Sequence, residues 1–243
     1  MTNTNIKRPL WIKLTAYGFA AVLFSSIAIG GAAWHRQSVM NEDALRKELD
    51  TDLALVQSDM NAQKKLASSV ALALAGEPEA ATLIEQGARD AIIARYKDSL
   101  PQIINAGGVQ LITFVSAKGE AIARIHTPDK FGDDITGRRK TVVNALSSGK
   151  LVAGTEPGRS AVSMFASAPV LRDGKVVGVV DAGTGLTNDY FTPLAKVIGG
   201  EIGVHVMVDG KLTQQASTIG DKSMLNEEQL KAAFDGKPVR ALL

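Results

Sequence analysis

An arginine and a histidine stand two positions apart in the stretch "ARIHTPDKFGDD", where a strand pattern runs into a loop: Arg124 and His126. Side chains at this spacing on a strand point to the same face, so we expect the guanidinium and the imidazole to project together. Both groups donate hydrogen bonds to carboxylates. The pair therefore predicts either a site for an anionic ligand or an internal ion pair whose partner is Asp133, Asp134 or Asp181.

A second group of cations opens the next predicted helix, "RRKTVVNALSSG", with Arg138, Arg139 and Lys140. Cations in a first helical turn oppose the helix dipole, which favours anions there. The free backbone N–H groups of that turn also need acceptors. A loop of about ten residues joins this helix to the Arg/His pair, so the two groups can converge on one anion. The alternative is that the two aspartates at 133 and 134 neutralise the cluster.

Two further residues lie on predicted strands. Asp181 interrupts the apolar strand "VVGVVDAGTG", where a carboxylate is costly unless it is paired. It either pairs with Arg124 or holds the ammonium group of a ligand, and the sequence favours neither. Phe165 lies in the middle of a strand, where core packing is the simpler interpretation, and it is also a candidate ligand contact.

Other chemistries find little support. The chain has no cysteine and three scattered histidines, which argues against a metal centre and excludes thiol chemistry. The motif "GTGLTN" lacks the third glycine and the parallel βαβ unit of a dinucleotide loop. Ser160 and Ser163 with His126 do not form a nucleophile-elbow pattern. We therefore expect neither a cofactor nor enzymatic activity.

The N-terminus predicts a membrane anchor. The segment Leu14–Trp34, "LTAYGFAAVLFSSIAIGGAAW", is 21 residues without a charge. As a helix it spans about 31 Å, against about 30 Å for a hydrocarbon core. The basic residues Lys7, Arg8 and Lys13 precede it, so residues 1–13 are expected in the cytoplasm and the residues after Trp34 outside. The alternative is a cleaved signal peptide, with "GAA" before Trp34 as its cleavage site.

The charge balance follows from this segment. The formal net charge of +2 becomes −2 when Lys7, Arg8, Lys13 and Arg36 are left out. A folded part with that balance lacks the basic face of a nucleic-acid binder.

Helical periodicity dominates the first third of the chain. Residues 36–75 predict one long helix with a leucine-rich stripe. The stripe either packs on the domain or forms a dimer stalk continuous with the membrane helix, and the two are compatible. "GEPE" at 76–79 predicts a stop and a restart, followed by a helix to about Ser99 that Pro101 ends.

After Gly107 and Gly108 the period changes to two. The pattern predicts a hairpin over 109–126, a helix, and three more strands, which together make a five-stranded antiparallel sheet. A helix with Asn188 as its N-cap follows, then a second hairpin and helix up to Gly236. The fold class is α+β. Because no returning strands follow before "KPVRALL", we expect either a fragment of a longer protein, which we favour, or an incomplete second module.

The order of these parts resembles the double Cache (double sensory, PAS-like) family of extracytoplasmic sensor domains in bacterial chemoreceptors and sensor kinases. The likeness covers Trp34 to the end and rests on "FVSAKGEAIARIHTPDKFGDDITGR", "ALSSGK" and "APVLRDGKVVGVVDAGTGL". The first segment is also similar to the Arg-x-x-His-Pro loop of citrate and C4-dicarboxylate sensor kinases. There the arginine and histidine bind ligand carboxylates. Here the spacing is Arg124-x-His126-x-Pro128.

The same resemblance bears on the ligand class. The Tyr…Arg-Trp amino-acid motif of other double Cache receptors is not found, although Asp181 falls where such receptors often hold the amine.

The resemblance implies five segments along the chain. They are a cytoplasmic tail (1–13), a transmembrane anchor (14–34), long helices that form stalk and hinge (35–100), a membrane-distal Cache module (101–187), and a connecting helix with a partial second Cache module (188–243).

It also implies a function. The chain would be the ligand-sensing domain of a homodimeric receptor of the methyl-accepting chemotaxis type in the inner membrane, with residues 14–34 in contact with lipid. The ligand would be a small anion or carboxylate. The candidate ligand-binding residues are Arg124, His126, Arg138, Arg139, Asp181 and Phe165. The alternatives are the input domain of a sensor histidine kinase or cyclase, or a membrane-anchored dimerisation protein.

Overall fold

The computed structural model describes residues 9–208, 210–221, 223–237 and 239. The chain divides into two compact units, 1–54 and 55–243. Lys7 and Arg8, on which the predicted orientation in the membrane depends, lie outside the described residues, as does most of "KPVRALL".

The longest element is the helix α1, Leu10–Ala75, of 66 residues. It contains a stretch with a mean hydropathy of 1.7, and it is long and apolar enough to cross a membrane. This stretch is exposed along its whole length. The predicted apolar helix and the predicted long helix after it are therefore one helix. Membrane insertion itself stays a prediction.

The leucine-rich stripe of α1 divides into two parts. Leu45, Leu49 and Leu53 are exposed. Farther along, the stripe residues Leu66 and Val70 pack against a cluster of sheet residues that also contains the neighbouring Ala67 and Ala71. The small side chains of the two alanines let the helix backbone come close to the strands.

Three short helices follow where the sequence predicted one: α2 (Ala80–Glu85), α3 (Arg89–Tyr96) and α4 (Leu100–Gly107). The prediction of a single helix to Ser99 is wrong because Gly87 has φ +60°, which breaks the helix. Pro101 lies in the first turn of α4 and does not end a helix. Proline is tolerated there because first-turn N–H groups have no partner within the helix.

The predicted five-stranded antiparallel sheet is confirmed. Its strands are β1 (Leu111–Ser116), β2 (Ala121–Arg124), β3 (Val152–Pro157), β4 (Val162–Arg172) and β5 (Lys175–Gly185). The order in space is β2-β1-β5-β4-β3. The helix α5, Lys140–Ser148, connects β2 to β3. The long strand β5 therefore lies at the centre of the sheet.

Helices cover both faces of this sheet. On one face Phe114 lies in a cluster with buried residues of α2 to α4, and its ring stacks on Tyr96 with 5.0 Å between centroids. On the other face Val115 and Val179 pack against Val142 and Ala145 of α5. Both faces of the sheet carry apolar side chains and are buried against helices, which gives three layers.

A β-bulge changes the face of the sheet to which the first side chains of β2 point. A bulge places Ala123 opposite Phe114 and Ala121 opposite Val115, so Ile122 is the extra residue. As a result Ala121 packs in the α5-side cluster. Ile122 packs with Ala123 on the opposite face, whereas a strand with simple alternation would place it on the same face as Arg124.

The remaining elements are α6 (Asn188–Ile198), β6 (Gly203–Val208), β7 (Lys211–Ser217) and α7 (Glu227–Phe234). The hairpin and helix occur as the sequence predicted. The N-cap of α6 is Thr187 and not Asn188. The Asn188 side-chain oxygen instead accepts a hydrogen bond of 2.8 Å from the backbone N–H of Ser217, which joins α6 to β7.

Candidate functional site

A cavity of ≈ 330 Å³ lies at the end of the five-stranded sheet where β2 and β5 end and β4 begins, next to the loops that follow β2 and β3. Five of the six predicted site residues line it: Arg124, His126, Arg138, Arg139 and Phe165. The sixth, Asp181, lies behind Arg139. Thus the structure brings together residues that the sequence separates by up to 57 positions.

Arg139 and Asp181 form the deepest contact of this region. The two nitrogens Nη1 and Nη2 of Arg139 donate to Oδ2 and Oδ1 of Asp181 at 2.8 and 2.7 Å. Arg139 is 5 % exposed and Asp181 1 %. The hydroxyl of Ser167 also donates to Asp181 at 2.7 Å, and the guanidinium lies 3.3 Å from the Phe165 ring centroid. Asp181 therefore pairs with Arg139, and the predicted pairing with Arg124 is wrong.

Burial dominates the electrostatics of this carboxylate. Desolvation raises the pKa of Asp181, and the Arg139 guanidinium opposes that shift. Since both oxygens of Asp181 already accept hydrogen bonds within the core, it takes no part in the cavity wall.

The start of α5 is already occupied by a protein carboxylate. The backbone N–H of Thr141 donates to Oε1 and Oε2 of Glu156 at 2.9 and 3.1 Å, and the Thr141 hydroxyl donates to Oε2 at 2.8 Å. Arg139 is the N-cap residue and Arg138 precedes it, so neither belongs to the first turn as predicted. An anion does satisfy this helix start, but it comes from β3 and not from a ligand.

Arg124 is held by the loop that follows it. Its Nη1 and Nη2 donate to Oδ1 and Oδ2 of Asp133 at 2.6 and 3.0 Å, and Nη1 also donates to the Lys130 carbonyl at 2.6 Å. The internal ion pair considered for Arg124 is therefore confirmed, with Asp133 as the partner. Asp134 instead accepts hydrogen bonds from Thr136.

Asp133 serves more than one arginine. Nη2 of Arg138 donates to its Oδ2 at 3.0 Å, and Nη1 of Arg159 lies 3.9 Å from Oδ1. Hydrogen bonds from Arg124 and then Arg138 hold the pKa of Asp133 far below its usual range. This carboxylate is therefore ionised at any physiological pH.

His126 lies just beyond the end of β2. Its Nδ1 is 3.1 Å from the backbone nitrogen and 3.2 Å from the carbonyl oxygen of Ile112, and the tautomer decides which of the two it pairs with. Desolvation lowers the pKa of His126, and the nearby Arg124 charge adds to that effect, while the contact with Ile112 opposes it. The imidazole is therefore neutral at pH 7.

Two cations of the cavity were missed by the sequence reasoning: Lys130 and Arg159. Each stands in a loop within two residues of a proline and a glycine, in "TPDKFG" and "EPGRS". That placement is the signal that could have found them, because loops at strand ends carry many binding residues.

The cavity has an excess of positive charge. Its described lining includes five cationic side chains and no carboxylate; the cations are Arg124, Lys130, Arg138, Arg139 and Arg159. Three carboxylates contact these cations from outside the lining, namely Asp133, Glu156 and Asp181. Within the described part of the chain, two positive charges are left without a matching carboxylate. The buried Nε of Arg138 also has no hydrogen-bond partner there.

The polar remainder of the wall suits an oxygen-rich molecule. It includes Gln110, Thr113, Ser160 and Ser163. Among the described residues, no group of three His, Cys, Asp or Glu could hold a metal ion.

One side chain of the second hairpin reaches the rim of this cavity. The Oε1 of Gln215 accepts from the backbone N–H of Val162 at 2.7 Å, and its Nε2 donates to the carbonyls of Val162 and Leu186 at 3.0 and 2.8 Å. Val162 and Leu186 directly adjoin the lining residues Ser163 and Gly185. The Gln215 amide thus joins β7 to the start of β4 and the end of β5.

A larger cavity of ≈ 570 Å³ lies between the β6–β7 hairpin and α7. Its lining is mainly apolar and includes Leu212, Met224, Leu230 and Phe234. Because none of the predicted site residues lies there and its described lining has no Lys or Arg, the smaller cavity is the candidate site for an anion.

A family model described as the double sensory domain of two-component sensor kinases matches residues 42–241. No curated protein matches the chain.

Solved structures are similar to the chain at low identity. The sensor domain of the V. cholerae histidine kinase DctB has a TM-score of 0.49 at 15 % identity, over 59 % of this chain and 57 % of that one. The E. coli DcuS sensor domain has a TM-score of 0.44 at 16 % identity, over 57 % and 98 %. The ligand-binding domain of the Campylobacter jejuni chemoreceptor Tlp3, solved with 4-methylisoleucine, has a TM-score of 0.48 at 14 % identity, over 78 % and 75 %.

The buried Arg139–Asp181 pair generates a stability prediction. Asp181→Leu leaves a guanidinium buried without its main partner, which we expect to lower the free energy of unfolding by about 3–5 kcal/mol. The double variant Asp181→Leu with Arg139→Met removes both charges and should recover most of that loss. Urea unfolding followed by circular dichroism measures both.

The exposed ion pair between Lys231 and Glu227, 3.1 Å apart, supplies the control. Glu227→Gln should leave the unfolding midpoint almost unchanged, because exposed pairs contribute little. A double variant that is as unstable as Asp181→Leu would contradict the assignment.

Proposed function

The chain belongs to the family of double sensory (double Cache) domains, and on that premise we propose that it is the extracytoplasmic sensor of a membrane receptor for a small organic anion. The anion binds in the cavity beside Arg124 and Arg138, and a carboxylate is its recognition group. In this proposal the chain binds the ligand and relays a signal, and it catalyses no reaction.

The observation that carries this proposal is the unmatched positive charge of the cavity wall. Guanidinium groups bind carboxylates in a two-point geometry and are less strongly hydrated than ammonium groups. A small site with several of them is therefore matched to a carboxylate. The volume of ≈ 330 Å³ lies at the lower end of the range for small-molecule sites, which favours a compact acid.

The acidic side chains argue against a free amino acid as the ligand. An ammonium group needs a carboxylate or carbonyl acceptor on the wall. Asp181, the residue predicted for that role, is turned into the core and bonded to Arg139 and Ser167. Hydroxyl groups of the ligand would instead meet the serine, threonine and glutamine side chains of the wall.

The organisation around the sensor is part of the same proposal. Residues 14–34 anchor the chain in the inner membrane with 1–13 in the cytoplasm, 35–100 form stalk and hinge, 101–187 are the membrane-distal module, and 188–243 belong to a second module. The exposed leucines of α1 at 45, 49 and 53 support a homodimeric stalk. The receptor is of the methyl-accepting chemotaxis type, and the alternative is the input domain of a sensor kinase, the class that the description of the matching family names.

Ligand binding is expected to bias the arrangement of the helices. The Tyr190 hydroxyl of α6 donates to Asp59 of α1, which joins these two helices directly. The Gln215 amide joins the cavity rim to β7. These contacts give a described route from the cavity to the second hairpin and the long helix.

Anion binding is tested with the full chain in detergent against mono-, di- and tricarboxylic acids and inorganic phosphate. At least one carboxylic acid should raise the melting temperature, because a ligand that binds only the folded state stabilises it. Arg159→Ala and Lys130→Ala should each weaken its affinity about tenfold or more, since each removes a cation from the wall. Calorimetric titration gives the dissociation constants.

Arg172→Ala is the matched control, because Arg172 pairs with Glu85 on the opposite side of the module. It should leave the affinity unchanged. If no acid shifts the melting temperature, or if Arg172→Ala weakens binding as much as Arg159→Ala, the proposed site is wrong.

The role of Gln215 is tested by Gln215→Leu, which removes three hydrogen bonds to the cavity rim. Acid-induced protection of β7 from hydrogen exchange should be lost, while the acid still protects β4 and β5. Gln214→Leu is the control, because that side chain donates to the Gly220 carbonyl in the segment after β7 and has no described hydrogen bond to the cavity rim. Unchanged protection of β7 in Gln215→Leu would remove Gln215 from the route.

A further inference from the structure

Asp133 lies outside the cavity lining and bonds cations that a ligand would use. It bonds Arg124 at two points, bonds Arg138 at 3.0 Å and lies 3.9 Å from Arg159. Three guanidinium groups thus converge on one carboxylate. A single carboxylate has about four lone-pair positions, so it cannot satisfy all of their N–H groups.

The shortfall is visible at Arg138. Its Nε is buried and has no hydrogen-bond partner among the described residues. A buried donor without a partner costs free energy, and a charged donor costs more than an uncharged one. An additional anion at this place would complete the arginine's hydrogen bonds.

The arginine and the aspartate differ in how firmly they are held. The Arg124 side chain is 5 % exposed, and the carbonyl of Lys130 also holds it. The Asp133 side chain is 33 % exposed. The carboxylate can therefore turn toward solvent while the guanidinium of Arg124 stays in the wall.

We propose that Asp133 acts as an internal competitor for the anion, occupying the arginines of the empty cavity and giving them up in part when a ligand carboxylate binds. The inference rests on the proposed function. It assigns Asp133 the role of setting affinity and specificity: a ligand must offer enough anionic oxygen atoms to replace it. An acid with two or three carboxylates meets that requirement better than a monocarboxylate.

The same exchange would link binding to a change in the loop between β2 and α5. The backbone of this loop is fixed to β2, since the Ala121 N–H donates to the Asp133 carbonyl at 3.0 Å and the Gly132 N–H donates to the Ala121 carbonyl at 2.8 Å. Displacement is therefore expected in the side chains of Asp133 and Arg138, with the strand register kept.

The test uses Asp133→Asn in the full chain, with citrate and acetate as probes in calorimetric titrations. Removing the competing charge should tighten citrate binding about tenfold or more. Acetate should gain relatively more than citrate, because it no longer has to replace a carboxylate. Asp134→Asn is the matched control, since Asp134 carries the same charge one residue away, but its side chain accepts hydrogen bonds from Thr136 and, among the described residues, from no arginine.

Four results are distinguishable. If Asp133→Asn binds citrate more tightly than the native chain does, and Asp134→Asn does not, the result supports the inference and the proposed function. Binding that occurs in Asp133→Asn but not in the native chain supports the competitor role and shows that citrate is not a ligand of the native site. Equal or weaker binding by Asp133→Asn, with a native chain that binds, overturns the inference and leaves the proposed function standing. If neither protein binds citrate or acetate, the inference fails, because Asp133→Asn should open the arginines to these carboxylates, and the proposed function is decided by the wider screen of acids.

A variant that does not fold is replaced by a measurement on the native chain. The ¹⁵N side-chain resonances of Arg124 and Arg138 should shift on addition of citrate if their bonds to Asp133 are exchanged. Resonances that stay in place while citrate binds would overturn the competitor role.

Discussion

The buried ion pair between Arg139 and Asp181 is the contact on which the site depends. It joins Arg139, the residue at the N-cap position of α5, to the middle of the central strand of the sheet. Ser167, Thr141 and Glu156 complete its hydrogen bonds, and the Phe165 ring covers the guanidinium. Because a buried charge without a partner is strongly destabilising, the loop that precedes Arg139 and the helix that follows it are both confined to one place against the sheet.

This confinement divides the charges of the region into two layers. In the inner layer, Arg139 and the start of α5 are matched by Asp181 and Glu156, and this part is structural. In the outer layer, Arg124, Arg138 and Arg159 share Asp133, and Lys130 has no ion pair among the described residues. The outer layer lines the cavity and has more cations than carboxylates, so its electrostatics favour an added anion.

Much of this arrangement could be predicted from the sequence, because it depends on local patterns. Alternating strands, turn residues and the helix after the first hairpin define a five-stranded sheet, and strand period together with a short loop places Arg124 near Arg138. The pairing of Asp181 could not be predicted, because Arg139 is 42 positions away and only the strand order makes them neighbours. The bulge at Ile122, the break at Gly87 and the occupation of the α5 start by Glu156 likewise depend on contacts that no local pattern encodes.

The central claim is that the outer layer of cations binds a carboxylate, and a crystal structure of the chain grown with its best-binding acid tests it most directly. The account predicts a carboxylate of the ligand within hydrogen-bonding distance of Arg138 and Arg159, in the cavity under the loops that follow β2 and β3. A ligand found in the apolar cavity beside α7, or an unchanged and unoccupied cation cluster in crystals whose protein binds the acid in solution, would contradict it.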